Sequence, residues 1–313
     1  MRPPTIDPVQ IKQQQRQTWD AVSAGWEASM ELFERYAAAV TGRLLSLGGV
    51  RPGQAVLDIG TGLGEPAVSA VRRVRPGGRV LGIDLSPAMI DAARRRAAGV
   101  PGVAYAVADF EAGGRQRAQR SGARGQAASR GHSRLPAGPF DVALSRWSLM
   151  FAIDQVAAFR AITRLLVPGG VLAAAVWGPP AAAPVMAFSY AVLSQRLQLP
   201  PPPPGTPGPF SMADPDQLAA ALTAAGFIEV TIEPTVVPFR FASAEQYVRF
   251  SRAVTPPALL DLIRERTGDA DDPASWRAVR DSARERFADG TGLLLPSTTL
   301  CLRAATPPAA VSA

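Results

Sequence analysis

The stretch Val-Leu-Asp-Ile-Gly-Thr-Gly-Leu-Gly-Glu-Pro at 56–66 limits what this chain can fold into more than any other. A short apolar run ends in an acid, Asp58, and glycines follow at 60, 62 and 64. Beyond Pro66, Ala67, Ala70, Val71 and Val74 recur at helical spacing. That order predicts a buried strand, a tight turn and the first turn of a helix. Proline suits a helix start, where its missing N–H has no partner to lose. Glycines at such a turn allow positive φ or the close approach of a ligand to the backbone. A dinucleotide fingerprint, G-x-G-x-x-G, would carry its third glycine five positions after the first. Here that position is Glu65.

Further signals follow along the chain. Val80–Asp84 reads as a second strand ending in an acid, 24 residues after Gly60. The offset is close to the roughly 20 residues expected of a ribose-binding carboxylate. Ser86-Pro87 then supplies an N-cap and a first-turn proline. A third strand, 103–108, ends at Asp109-Phe110, and a fourth is Phe140–Ser145, followed by Arg146-Trp147. Val156, Phe159, Ile162, Leu165 and Leu166 form a helix face, and Val167-Pro-Gly-Gly170 is expected to close that helix. Val171–Trp177 reads as a fifth strand.

Together these segments resemble the class I S-adenosylmethionine (SAM)-dependent methyltransferases, most closely the small-molecule enzymes of the ubiquinone and menaquinone type. The resemblance is carried by the GxGxG turn, Asp84-Leu-Ser-Pro-Ala-Met-Ile90, Asp109 and Leu166-Val-Pro-Gly-Gly-Val-Leu172. It covers roughly residues 15–240 and a final strand. It implies an α/β, Rossmann-like, doubly wound sheet of seven strands, mainly parallel with an antiparallel last strand, plus helical cap insertions. It implies SAM as cofactor and a methyl group moved to a small, fairly apolar acceptor, with C- or O-methylation favoured. The cofactor residues it implies are Asp58, Gly60, Thr61, Gly62, Gly64, Asp84, Leu85, Met89, Asp109, Phe110 and Ser145. Asp84 would take the ribose hydroxyls, Asp109 the adenine amino group, and Leu85 and Met89 would flank the base. SAM carries no phosphate, so the turn is not required as an anion cradle.

The substrate side is less defined. Trp19 and Trp26 fit either core packing or a contact at the cofactor's methyl end. Arg146 is expected beside the methionine arm, and Trp147 and Met150 as acceptor wall or packing. The Asn-Pro-Pro-Tyr and Pro-Cys signatures of base methylation are absent from the sequence. Catalytic residues are not named by the sequence, and no metal is expected. Two other functions remain open: a non-catalytic SAM-binding protein and an NAD-dependent oxidoreductase, the latter opposed by Glu65.

Expected organisation is N-terminal helices over 1–48, a core over 49–240 with a flap at 178–213, a helical cap over 241–294, and the last strand and tail over 295–313. The N-terminal part reads as two helices. The stretch 113–134 interrupts the pattern, lacks large apolar residues, and reads as a disordered insertion. A basic arm for an anionic partner is its alternative reading. Six arginines and no acid at 112–135 account for most of the formal net charge of +7, so that charge is no general nucleic-acid signal. The chain's one histidine, His132, lies in it. One cysteine, no signal-like start and no apolar run of membrane length predict a cytoplasmic protein. Its expected partner is a small-molecule acceptor, with no nucleic acid and no membrane span.

Overall fold

A computed structural model describes residues 7–111, 138–201 and 205–309. The insertion at 113–134, with His132, lies outside them.

The first element is a helix, α1 (Pro8–Leu47), capped by the Asp7 carboxylate, which accepts from the Val9 N–H. It is continuous over 40 residues, about 60 Å, where the sequence suggested two helices. No proline interrupts it beyond its first turn, and of its two interior glycines, Gly25 and Gly42, Gly25 marks a contact rather than a break. A Cβ on Gly25 would overlap the Ala253 carbonyl of a crossing helix. Val22, Met30, Phe33, Ala37, Val40 and Leu44 make its buried stripe.

The core alternates strands and helices. β1 (Ala55–Ile59), α2 (Ala67–Val74), β2 (Arg79–Asp84), α3 (Pro87–Arg96), β3 (Val103–Val107) and β4 (Phe140–Arg146) come first. α4 (Gln155–Thr163), β5 (Leu166–Trp177), α5 (Pro184–Leu197), α6 (Pro215–Ala224) and β6 (Ile228–Phe241) follow. Three cap helices, α7 (Ala244–Ala253), α8 (Pro257–Thr267) and α9 (Pro273–Phe287), precede the short β7 (Ala288–Asp289) and the last strand, β8 (Gly292–Ala305).

The strand order is β3-β2-β1-β4-β5-β8-β6, with β7 paired to β8. The first five strands are parallel, and β8 runs antiparallel to both β5 and β6. β1 is buried at all five positions, as a strand covered by helices on both faces must be. This is the mainly parallel Rossmann-like sheet with an antiparallel last strand, enlarged by the β7–β8 hairpin. Two local expectations change. α4 stops at Thr163, and Leu166 already pairs with Phe140, so Val167-Pro-Gly-Gly170 forms a bulge inside β5. Gly169, at φ +74°, permits it. The last strand also starts earlier than Leu295, because Gly292 closes the hairpin on Asp289.

The order reverses between β1 and β4, so a crevice opens beyond their carboxyl ends. α1 crosses that crevice, and no helix among the described residues is long and apolar enough to cross a membrane.

Candidate cofactor and acceptor site

The crevice is a cavity of about 1220 Å³ including its open mouth.

The glycine turn forms its floor. Gly60, Gly62 and Gly64 all have positive φ, +66°, +52° and +103°. A Cβ on Gly60 would overlap the Ser148 side chain, whereas one on Gly62 would meet no protein atom within 4 Å. Gly62 lines the cavity, so that open space is part of the cavity itself. Thr61 binds the turn to the neighbouring strand through its N–H and the Ile83 carbonyl, at 2.9 Å.

Asp58, Gly64 and Ser145 were expected at the cofactor, but none of them lines the cavity. Asp58 is fully buried, and one of its oxygens accepts from the Thr61 hydroxyl at 2.6 Å and the Ala67 N–H at 3.0 Å. It braces both arms of the turn. Burial pushes its pKa up to about 7, against the pull of Thr61, Arg146 and Ala67. Gly64 faces the Tyr105 hydroxyl, which donates to the Gly64 carbonyl at 3.3 Å. Ser145 donates to the Ile59 carbonyl at 2.9 Å and ties β4 to β1. All three sit where the backbone must be fixed, one layer beneath the surface a ligand would touch.

Asp84 reaches the cavity from the end of β2. Its two oxygens accept from the Gly62 and Ser86 N–H groups, each at 2.9 Å. Burial raises its pKa, and the Ser86 and Gly62 bonds oppose that rise. Leu85 and Met89 line the same region. The expected cap is present: Ser86 Oγ accepts from the Met89 N–H at 3.1 Å. Asp20 of α1 accepts from the Ser86 hydroxyl and the Ala88 N–H, which anchors α1 to the start of α3.

Asp109 and Phe110 line the cavity beyond β3. Here the sequence missed two partners, Lys12 and Glu111. Lys12 Nζ lies 3.5 Å from Asp109, pairs with Glu111, and sits 5.4 Å from the centroid of the Phe110 ring. Glu111 in turn accepts from the Ile153 and Asp154 N–H groups at 3.0 and 3.3 Å. The signal available was that Lys12 is the chain's only lysine, at helical spacing from Trp19 and Trp26.

The other end of the cavity is aromatic. Trp26, Phe33, Trp147 and Trp177 line it with Met30, and Met186 closes it from α5. Trp147 stacks on Trp177 with centroids 4.4 Å apart and planes 5° from parallel. Its indole N–H donates to Thr299 Oγ1 at 2.9 Å. It holds φ +55°, a conformation costly for a bulky residue and concentrated at functional positions. Trp19 and Met150 also line the cavity, and Trp19 meets Phe151 edge-on at 5.0 Å.

Arg146 lines the cavity but is already engaged. Both its terminal nitrogens donate to the Glu34 carboxylate, and Nη1 also reaches Thr41 Oγ1 at 2.7 Å. Burial would lower its pKa, but Glu34, with Glu65 and Asp58, outweighs it and the net direction is up. Glu34 was not expected at the site, because a partner 112 positions away leaves no local trace.

Thus the cavity joins a carboxylate-lined half, with an open glycine floor, to an aromatic half. Those groups fit a nucleoside with a polar arm. Comparison with known proteins agrees. Residues 57–174 match the family described as methyltransferase domain. Nocamycin O-methyltransferase of Saccharothrix syringae is 32% identical over 230 residues, covering 67% of this chain and 71% of that protein. Aklanonic acid methyltransferase DauC of Streptomyces sp. (strain C5) is 31% identical over 133 residues, 42% of this chain. The match spans only about half, 51%, of DauC's own length. The YcgJ protein of Bacillus subtilis shares the fold, with a TM-score of 0.51 at 18% identity over 85% of this chain and 97% of that one. The sheet order, the glycine turn and a relative matched over most of its length lead to one family: the chain belongs to the class I SAM-dependent methyltransferases, and SAM is its cofactor.

Proposed function

We propose that the protein transfers the SAM methyl group to a small, largely apolar acceptor held in the aromatic half of the cavity. The observation that carries this reading is the aromatic and methionine wall at the end of β4, beside the carboxylate-lined half. Asp84 accepts from the ribose hydroxyls, with Leu85 and Met89 flanking the base. Asp109 accepts from the adenine amino group, with Phe110 beside the ring. The backbone at Gly60, Thr61 and Gly62 carries the methionine arm, and Asp58, Gly64 and Ser145 hold that backbone in place. Bound SAM supplies a methyl group already activated by its sulfonium.

The chain's own task is then to align the acceptor and exclude water. α1 serves both purposes. Gln15 donates to the Phe151 carbonyl at 2.8 Å, Asp20 grips α3, and Glu34 grips Arg146, so the helix is fastened at three points along the cleft. Trp19, Trp26 and Trp147 face the cavity from this roof and from β4, and Met150 sits beside them. Met186 of α5 and Pro209, both in the stretch expected to act as a flap, line the same cavity.

The titratable residues lining the cavity are Lys12, Glu34, Glu65, Asp84, Asp109 and Arg146. The acceptor's own ionisation, or a carboxylate, therefore governs proton release. O-methylation fits best, since the relative matched over most of its length is an O-methyltransferase. The test is incubation with SAM carrying a labelled methyl group and a panel of hydroxylated aromatic, aliphatic and amine acceptors. Label is expected in the methyl ethers formed from apolar hydroxyl-bearing acceptors. Label confined to polar amines would refute the acceptor class.

A further inference from the structure

Glu65 follows the glycine turn directly and has no role in the arrangement described so far. It lines the cavity from the start of α2. One oxygen accepts from the Ser69 N–H at 3.2 Å, a contact that supports the helix start. That contact does not require a charge. Among the described residues, Glu65 forms no ion pair.

Its surroundings are short of positive charge. Three carboxylates, Asp58, Glu34 and Glu65, act on one guanidinium, Arg146, which Glu34 already holds. Burial raises the Glu65 pKa, Arg146 lowers it, and the Glu34 charge raises it further. The Tyr105 hydroxyl beside the turn responds to the same field: burial raises its pKa, and Asp58 and Glu65 add to the rise. Buried carboxylates in excess of their cations are costly unless a cation joins them. The open side of Glu65 is the cavity, so that cation belongs to a ligand.

We propose that Glu65 is the counter-charge for the α-ammonium group of the cofactor's methionine arm. The proposal rests on the cofactor reading above and deepens it. SAM offers two cationic centres, the sulfonium and the ammonium. The sulfonium loses its charge as the methyl group leaves. A carboxylate held against it would stabilise the ground state more than the transition state and slow transfer. The ammonium keeps its charge throughout, so pairing it lowers the energy of substrate, transition state and product alike. Position agrees with this choice. Glu65 adjoins the turn that carries the methionine arm, while Asp84 and Asp109 serve the nucleoside end.

The test is calorimetric titration of the full chain and its Glu65→Gln variant with SAM, S-adenosylhomocysteine and 5′-methylthioadenosine. Glutamine keeps an acceptor for the Ser69 N–H and removes only the charge. SAM and S-adenosylhomocysteine should both weaken about tenfold, the scale of a lost charge-assisted hydrogen bond. 5′-Methylthioadenosine lacks the amino-acid arm and should bind unchanged. Unchanged affinity for all three overturns the proposal, as does equal weakening of all three, which would mean a distorted turn. Weakening of SAM alone overturns it too, by assigning Glu65 to the sulfonium. Failure of the unaltered chain to bind SAM would instead strike the cofactor reading itself.

Discussion

Gly60→Ala is expected to lower the melting temperature by roughly 5–15 °C and to abolish measurable SAM binding. Two costs add. Left-handed backbone costs an alanine about 1–2 kcal/mol, and Gly60 sits at φ +66°. The new methyl group also overlaps both the Cβ and the hydroxyl of Ser148. The hydroxyl can rotate away, but the Cβ is fixed by the turn after β4, so the backbone must shift. Overpacking of this kind typically costs a further 1–3 kcal/mol. In a protein of this size each kcal/mol moves the transition by roughly 2–4 °C. Gly62→Ala separates the two effects. It bears the backbone cost at φ +52° but meets no protein atom. Its melting temperature should fall by only roughly 2–8 °C, the backbone cost alone, while its methyl group occupies cavity space and weakens SAM binding. Differential scanning calorimetry and SAM titration of both variants measure the contrast.

Asp84→Ala is expected to weaken SAM binding by about 1–3 kcal/mol, roughly 5- to 150-fold. The carboxylate lines the cavity, and its acceptor capacity exceeds the two backbone N–H groups it holds, leaving sites for two hydroxyls. Asp84→Asn should lose less, because one oxygen still accepts. Titration calorimetry on folded variants reads the difference, and unchanged affinity in Asp84→Ala would remove the residue from the ribose.

The parts of this site that could be read from the sequence are those fixed by short-range geometry. The turn at Gly60–Gly64, the acid closing β2 and the Ser86 cap each follow from residues within a few positions of one another. The mainly parallel sheet with an antiparallel last strand followed from the family resemblance once the βα alternation was visible. The remainder depends on contacts between distant segments. Arg146 and Glu34 meet only because α1 crosses the sheet edge, and neither residue's neighbours announce the other. Lys12 joins Asp109 and Glu111 for the same reason. The two-helix reading of α1 failed because its polar and small residues weaken the local pattern. The helix is continuous because its apolar stripe packs along the whole length of the cleft and the cap. Asp58, Gly64 and Ser145 were legible as residues of the motif, but not as its inner layer. Strand periodicity says which face is buried, not which atom a neighbouring N–H will claim.

The central claim is that this cavity takes SAM rather than a dinucleotide, with Glu65 standing where a dinucleotide fingerprint carries its third glycine. Titration of the full chain with SAM, S-adenosylhomocysteine and NADH tests it most directly. SAM and S-adenosylhomocysteine should each bind once per chain and compete with each other, and NADH should displace neither. Binding of NADH at the same site, with SAM producing no heat, would contradict the account.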